Sequence, residues 1–222
     1  MKIKICAILL STSFLLASCG MNNTAKGSLI GAGAGTALGA LIGKWSGNTA
    51  LGAGIGAAVG VGAGVIIGKK MDKAKAQAAQ IEGATVETQT DAEGNTVAVK
   101  VTLDGDVTFA TSKAVLNAAS KQSLATFAAQ LAGDVDLAVI GHTDNTGNDA
   151  INNPLSLNRA KAVKDYLVSQ GIAASRFKYV AGKGSTEPIA DNSSVAGRAQ
   201  NRRAELYLLP SQTMIQNANN GQ

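Results

Sequence analysis

The sequence has one histidine, two cysteines, three prolines and few aromatic residues among its 222 positions. Each scarcity excludes something. A lone histidine, His142, with no free cysteine and only scattered carboxylates, cannot assemble a protein-held metal site. A Ser-His-Asp catalytic arrangement needs a nucleophile within reach of the imidazole and a third group to orient it. No GxSxG elbow and no catalytic cysteine is present, so His142 reads as a strand-end residue that shapes a crevice. The chain is therefore expected to be no enzyme and to carry no cofactor and no metal. Collagen is excluded despite 26 glycines, because they follow no Gly-X-Y period and prolines are rare. The formal charge of +5 is modest, and between Val97 and Pro210 there are 12 basic against 10 acidic residues. That balance predicts no nucleic-acid partner.

Two lysines open the chain, followed by a mostly apolar run from Ile5 to Leu16 and then small residues. This pattern is a secretory leader, too short for a membrane span. The tetrad Leu16-Ala17-Ser18-Cys19 resembles the bacterial lipobox, which implies that residues 1–18 are a signal peptide and that Cys19 is diacylated. Two acyl chains anchor stably where one binds only marginally. With Cys6 inside the leader, no intrachain disulfide remains. Gly20 after the cysteine implies, by resemblance to Gram-negative lipoprotein sorting, an outer-membrane anchor facing the periplasm. The inner membrane stays open.

After a short lipidated N-terminus, 19–26, glycines recur every four residues at 27, 31, 35, 39, 43 and 47, and again at 52, 56, 60, 64 and 68. A four-residue period puts each series on one helix face, where a bare face lets another backbone approach closely. The segment 27–68 is similar to the glycine-zipper segments of bacterial envelope lipoproteins. It is expected to associate with the membrane as a helical hairpin and to allow homo-oligomers. A flexible Gly/Ala linker is the bland alternative, although linkers need no period. Residues 69–82, rich in lysine, alanine and glutamine, read as a helical spacer whose lysines rest on anionic headgroups.

From there the pattern becomes that of a folded domain. Thr85–Thr90 and Thr96–Leu103 alternate polar and β-branched residues around Asp91-Ala92-Glu93-Gly94-Asn95, a hairpin signal. A helix is expected from Ser112, as N-cap, to Leu131, with Val115, Leu116, Ala119, Leu124, Phe127, Ala128 and Leu131 as its apolar stripe. Val135–Gly141 is a buried strand. Pro154 at a first helical position, capped by Asn153, opens a helix to Gln170 whose Leu157, Ala160, Val163, Tyr166 and Leu167 face a core, and Gly171 ends it. Strands at 176–181 and 204–209 complete an α/β two-layer sandwich, helices on one face of a mixed sheet. The domain is placed at 83–210, with a polar tail at 211–222.

The run from Gly141 to Leu167 joins a strand end, a polar loop and the first turns of a helix, where open α/β sheets bind ligands. Asp144 and Arg159 are placed to point a carboxylate and a guanidinium into one crevice. A ligand bearing an ammonium and a carboxylate would satisfy both. An internal Asp144–Arg159 salt bridge is the equal alternative.

At these residues the sequence resembles the OmpA-like C-terminal domain family, whose pattern is TD followed by NxxLSxxRAxxV. The match is Thr143-Asp144, then Asn152, Leu155-Ser156, Arg159-Ala160 and Val163. Val107-Thr108-Phe109 resembles the family's first-strand motif, and Asn201-Arg202-Arg203-Ala204-Glu205-Leu206 its NRRxE motif. The resemblance implies non-covalent binding of peptidoglycan through diaminopimelate of the stem peptide, tethering membrane to wall. Asp144 would take the ammonium and Arg159 the carboxylate, with Thr143 and Asn152 as neighbouring polar contacts and Arg202 as a second cation. Ala110 departs from the Asp or Asn the family often has there. A rival reading makes the glycine zipper the active part, inserting or oligomerising in the membrane, with the C-terminal domain only a wall anchor.

Overall fold

The computed structural model describes residues 63–91, 93–109 and 113–222. The leader, Cys19, the zipper up to residue 62, Ala110 and the expected cap Ser112 lie outside the described residues.

The first described element is helix α1 (Ala63–Ala78). Its buried Ala63, Ile67, Met71, Ala74 and Ala78 recur every three or four residues, the spacing of one helix face. They join a core that also holds Val99, Val101, Leu137, Leu206 and Leu208 of the sheet. The spacer reading of 69–82 is thus corrected. The helix is part of the domain, because its apolar face has more to gain from the sheet than from water. Lys70 pairs with Asp134 at 2.9 Å, Gln77 donates to the Gln130 carbonyl at 2.8 Å and Thr96 donates to Asp72 at 2.7 Å.

Strands β1 (Ala84–Thr90) and β2 (Thr96–Asp104) form the expected antiparallel hairpin. Asp91 closes its turn by accepting from the Glu93 and Asn95 amides. A helical turn α2 (Gly105–Thr108) follows, with the Asp104 side chain accepting from the Asp106 and Val107 amides. That cap is why Val107 and Thr108 are helical rather than the strand their motif suggested. Phe109 bridges Leu116. Helix α3 (Ala118–Gln130) begins later than expected, capped by Asn117, which leaves Val115 exposed and Leu124, Phe127 and Ala128 buried.

Strand β3 (Val135–Gly141) leads into helix α4 (Asp149–Ser169), capped by Asn148. Asn153 and Pro154 are therefore not its start. An exposed proline inside the helix removes one backbone bond, and the Asn148 cap with the buried face of the same turns outweighs that loss. Gly171 terminates the chain's helical path at φ +98°, as expected. Strands β4 (Phe177–Gly182) and β5 (Arg203–Pro210) flank the short helix α5 (Val195–Asn201). The sheet order is β1-β2-β5-β3-β4, antiparallel except for β3–β4. The mixed sheet with helices agrees with the expected fold class. The segment 211–222 is not a polar tail. Ser211 caps helix α6 (Gln212–Asn219), whose Met214, Ile215 and Ala218 are buried with α1. Among the described residues no helix is long and apolar enough to cross a membrane.

Candidate functional site

Two close approaches position the site. A Cβ on Gly141, at the end of β3, would lie 2.0 Å from the Ser156 carbonyl oxygen, and one on Gly182, at the end of β4, 2.3 Å from the Leu157 nitrogen. Helix α4 can sit on both strand ends only because side chains are missing there. Ser156 locks the contact by accepting from the Gly184 amide at 3.0 Å. As a result, the first buried positions of α4 are Asn152, Ser156 and Arg159, all polar and all aimed inward beside His142, Thr143 and Asp144, which follow β3 and are buried too.

Each group then takes a distinct role. The Asp144 carboxylate accepts from the Thr146 amide at 2.9 Å and from Arg202 Nη1 at 2.8 Å. Burial pushes its pKa up, but Arg202 and Thr146 outweigh this and hold it below the usual aspartate value. Asn152 donates its side-chain amide to the Thr146 carbonyl at 3.1 Å, so it shapes the 144–146 loop. The internal ion pair weighed for Asp144 does exist, but its partner is Arg202, 58 residues away in sequence, and not Arg159.

Arg159 is only 3% exposed. Its Nε donates to the Lys113 carbonyl at 3.3 Å, and its guanidinium lies 5.3 Å from the centre of the Phe109 ring. Burial pulls its pKa down, the charges of Asp106 and Asp144 push it back up, and Arg202 opposes them. Among the described residues its buried Nη1 has no hydrogen-bond partner, and neither has the buried Thr143 hydroxyl. Arg202 is held on both sides. Its Nε and Nη2 bind the two oxygens of Asp106 at 3.0 and 2.5 Å while Nη1 reaches Asp144. These bonds raise its pKa above the usual arginine value.

Asp106 and the packing of Phe109 under Arg159 were missed in the sequence. The available signal was Asp104-Gly105-Asp106, a cap followed by a second acid. The contact also needs Gly105, whose absent Cβ would otherwise meet the Arg202 carbonyl at 2.2 Å. Behind the site, His142 Nε2 lies 3.6 Å from Glu205, which Arg203 and Tyr207 also contact. No cluster of three or more metal-ligating residues occurs among the described residues.

The sequence profile of the OmpA family matches residues 108–202, and that of the YMGG-like Gly-zipper matches residues 1–72. Outer membrane protein A of Bordetella avium is 40% identical over 133 residues, covering 59% of this chain and 68% of that protein. The chain belongs to the OmpA family. Among its other relatives, the peptidoglycan-binding protein ArfA of Mycobacterium tuberculosis is 49% identical over 75 residues. That match covers 34% of this chain and 23% of ArfA, so the chain spans about a quarter of that relative's length. The solved cell wall anchor of the type VI secretion system from Pseudomonas aeruginosa aligns with a TM-score of 0.53 at 29% identity, covering 64% of this chain and 97% of that one. In OmpA-family terms, the TD, NxxLSxxRA and NRR motifs meet in one place, around Asp144, Arg159 and Arg202.

Proposed function

We propose that this OmpA-family chain is an envelope lipoprotein that grips peptidoglycan non-covalently through diaminopimelate and tethers a membrane to the wall. The observation that carries the reading is the orphaned Nη1 of Arg159. A buried guanidinium with an unmet donor is costly, and a ligand carboxylate removes that cost with a charge-assisted bond. Asp144 supplies the complementary anion for an ammonium, and the Thr143 hydroxyl a further free polar group. The four charged groups Asp106, Asp144, Arg159 and Arg202 sum to zero, so a zwitterionic amino-acid head leaves the site balanced while a diamine or a dicarboxylate does not. The naming of one relative as peptidoglycan-binding and of another as a cell wall anchor supports the same reading. Diacylation at Cys19 and an outer-membrane location belong to the proposal on the strength of the lipobox and Gly20.

The zipper-centred alternative has less to draw on. A Cβ on Gly64 would lie 2.9 Å from Asp91, and one on Gly68 3.1 Å from Asn95. The last two glycines of the second series therefore serve the domain's own β1–β2 turn.

The test is co-sedimentation of the full chain, in detergent, with purified peptidoglycan. Binding that free diaminopimelate competes away, and that Asp144→Asn removes, is the expected result. Failure of the folded wild-type chain to sediment overturns the reading. Labelled palmitate incorporation that disappears in Cys19→Ala tests the anchor separately.

A further inference from the structure

Asp144 faces a conflict. Its carboxylate has to accept an incoming ammonium, yet Arg202 Nη1 already sits on it at 2.8 Å. Two cations on one carboxylate repel each other. The opposite edge of the same guanidinium, Nε and Nη2, is engaged in parallel by both oxygens of Asp106, the stronger two-point geometry.

Resting on the reading of the site as an ammonium-and-carboxylate receptor, we propose that Asp106 is a positioning residue. It keeps Arg202 seated by the edge that does not touch Asp144, so the guanidinium can yield its single Asp144 contact to the ligand without losing its counter-ion. Arg202 is thus the internal stand-in for the ligand's ammonium, and Asp106 decides how firmly it holds. Asp106 does not touch the ligand in this scheme. Its placement follows from the fold. The Gly105 amide donates to the Arg202 carbonyl at 2.7 Å, which pins α2 against the start of β5. The Asp106 side chain is 54% exposed, and the α2 cap is Asp104, not Asp106. Removing the charge of Asp106 therefore leaves the cap and the core in place.

A double-mutant cycle on the full chain separates this role from simple attraction between Asp106 and the ammonium. Asp106→Asn is expected to weaken peptidoglycan binding about fivefold, since Arg202 then turns wholly onto Asp144. Arg202→Gln is expected to bind at least as well as the wild type, and Asp106→Asn added to it to change nothing more. A direct electrostatic role would instead give the same loss in both backgrounds, which overturns the proposal. Loss of binding in Arg202→Gln also overturns it, because Arg202 would then grip the ligand itself.

A ligand-free measurement keeps the proposal testable if the wall is not the ligand. The Asp144 carboxyl, followed by carbon NMR, should titrate at lower pH in Asp106→Asn than in the wild type and at higher pH in Arg202→Gln. An unchanged Asp144 titration in Asp106→Asn refutes the positioning role whatever the chain binds.

Discussion

Gly141 and Ser156 stand closer than any side chain at Gly141 would allow: an added Cβ would meet the Ser156 carbonyl at 2.0 Å. The neighbour is backbone in the middle of a packed helix, so it cannot swing aside. Gly141→Ala is expected to displace α4 from β3 and to lower stability by about 3 kcal/mol. Urea unfolding measures it. Because α4 carries Asn152 and Arg159, the same variant should lose ligand binding even where it remains folded.

Arg159 gives the opposite relation between stability and function. A buried cation with an unmet donor detracts from stability, and an apolar side chain of similar length relieves that. Arg159→Met is expected to melt at the same temperature as the wild type or higher while peptidoglycan binding falls at least about tenfold. A variant that unfolds instead would show that the Phe109 stacking and the Lys113 bond are what Arg159 is for. Thermal melts beside the sedimentation assay separate the two outcomes.

Acid should weaken the domain in a defined direction. Burial raises the pKa of Glu205, but His142 and Tyr207 outweigh it, with Arg203 adding, and hold it far below the usual value. Asp106 is lowered chiefly by Arg202, and Asp144 is lowered by Arg202 and Thr146 against its burial. Each is depressed on folding, so its contribution is present above the unfolded carboxylate range and is lost as pH falls through the folded value. The steepest loss of melting temperature is expected below about pH 4. Arg202→Gln should shallow that slope, since Asp106 and Asp144 both lose their partner.

Helix α1 makes a prediction about truncation. A fragment that begins at Gly83 lacks Ile67 and Met71, both fully buried, and exposes the sheet face they cover. It is expected to unfold cooperatively at a much lower temperature than a fragment that begins at residue 62. Met71→Ala in the full chain should cost about 2–5 kcal/mol. Circular dichroism melts of the two fragments, and of Met71→Ala beside the wild-type chain, check both.

The sheet and its main helices were legible because their signals are local. The alternation at Thr96–Leu103, the apolar run Val135–Gly141 and the stop at Gly171 depend on neighbours a few residues away. Helix starts were less so: Pro154 looks like a first position, yet Asn148 provides a cap five residues before the helix reaches Asn153, and the packed face of α4 overrides the proline. Met214, Ile215 and Ala218 did carry a helical spacing after Ser211, but the stretch is too short and polar for that spacing to stand out without α1 beside it.

The sequence by itself determined that Asp144 follows strand β3 and that Arg159 lies on the inward face of the next helix, since strand end, loop and helix are contiguous. It also determined the mixed α/β class. Only the tertiary structure decided which charge Asp144 meets. Arg202 lies 58 residues on and Asp106 sits 96 residues before Arg202, and no local pattern encodes contacts made by strands that pair out of sequence order. The fate of α1 was settled the same way. Its glycines and apolar residues suit a membrane or a protein core equally, and it is the uncovered face of β2 and β5, with the β1–β2 turn against Gly64 and Gly68, that takes them.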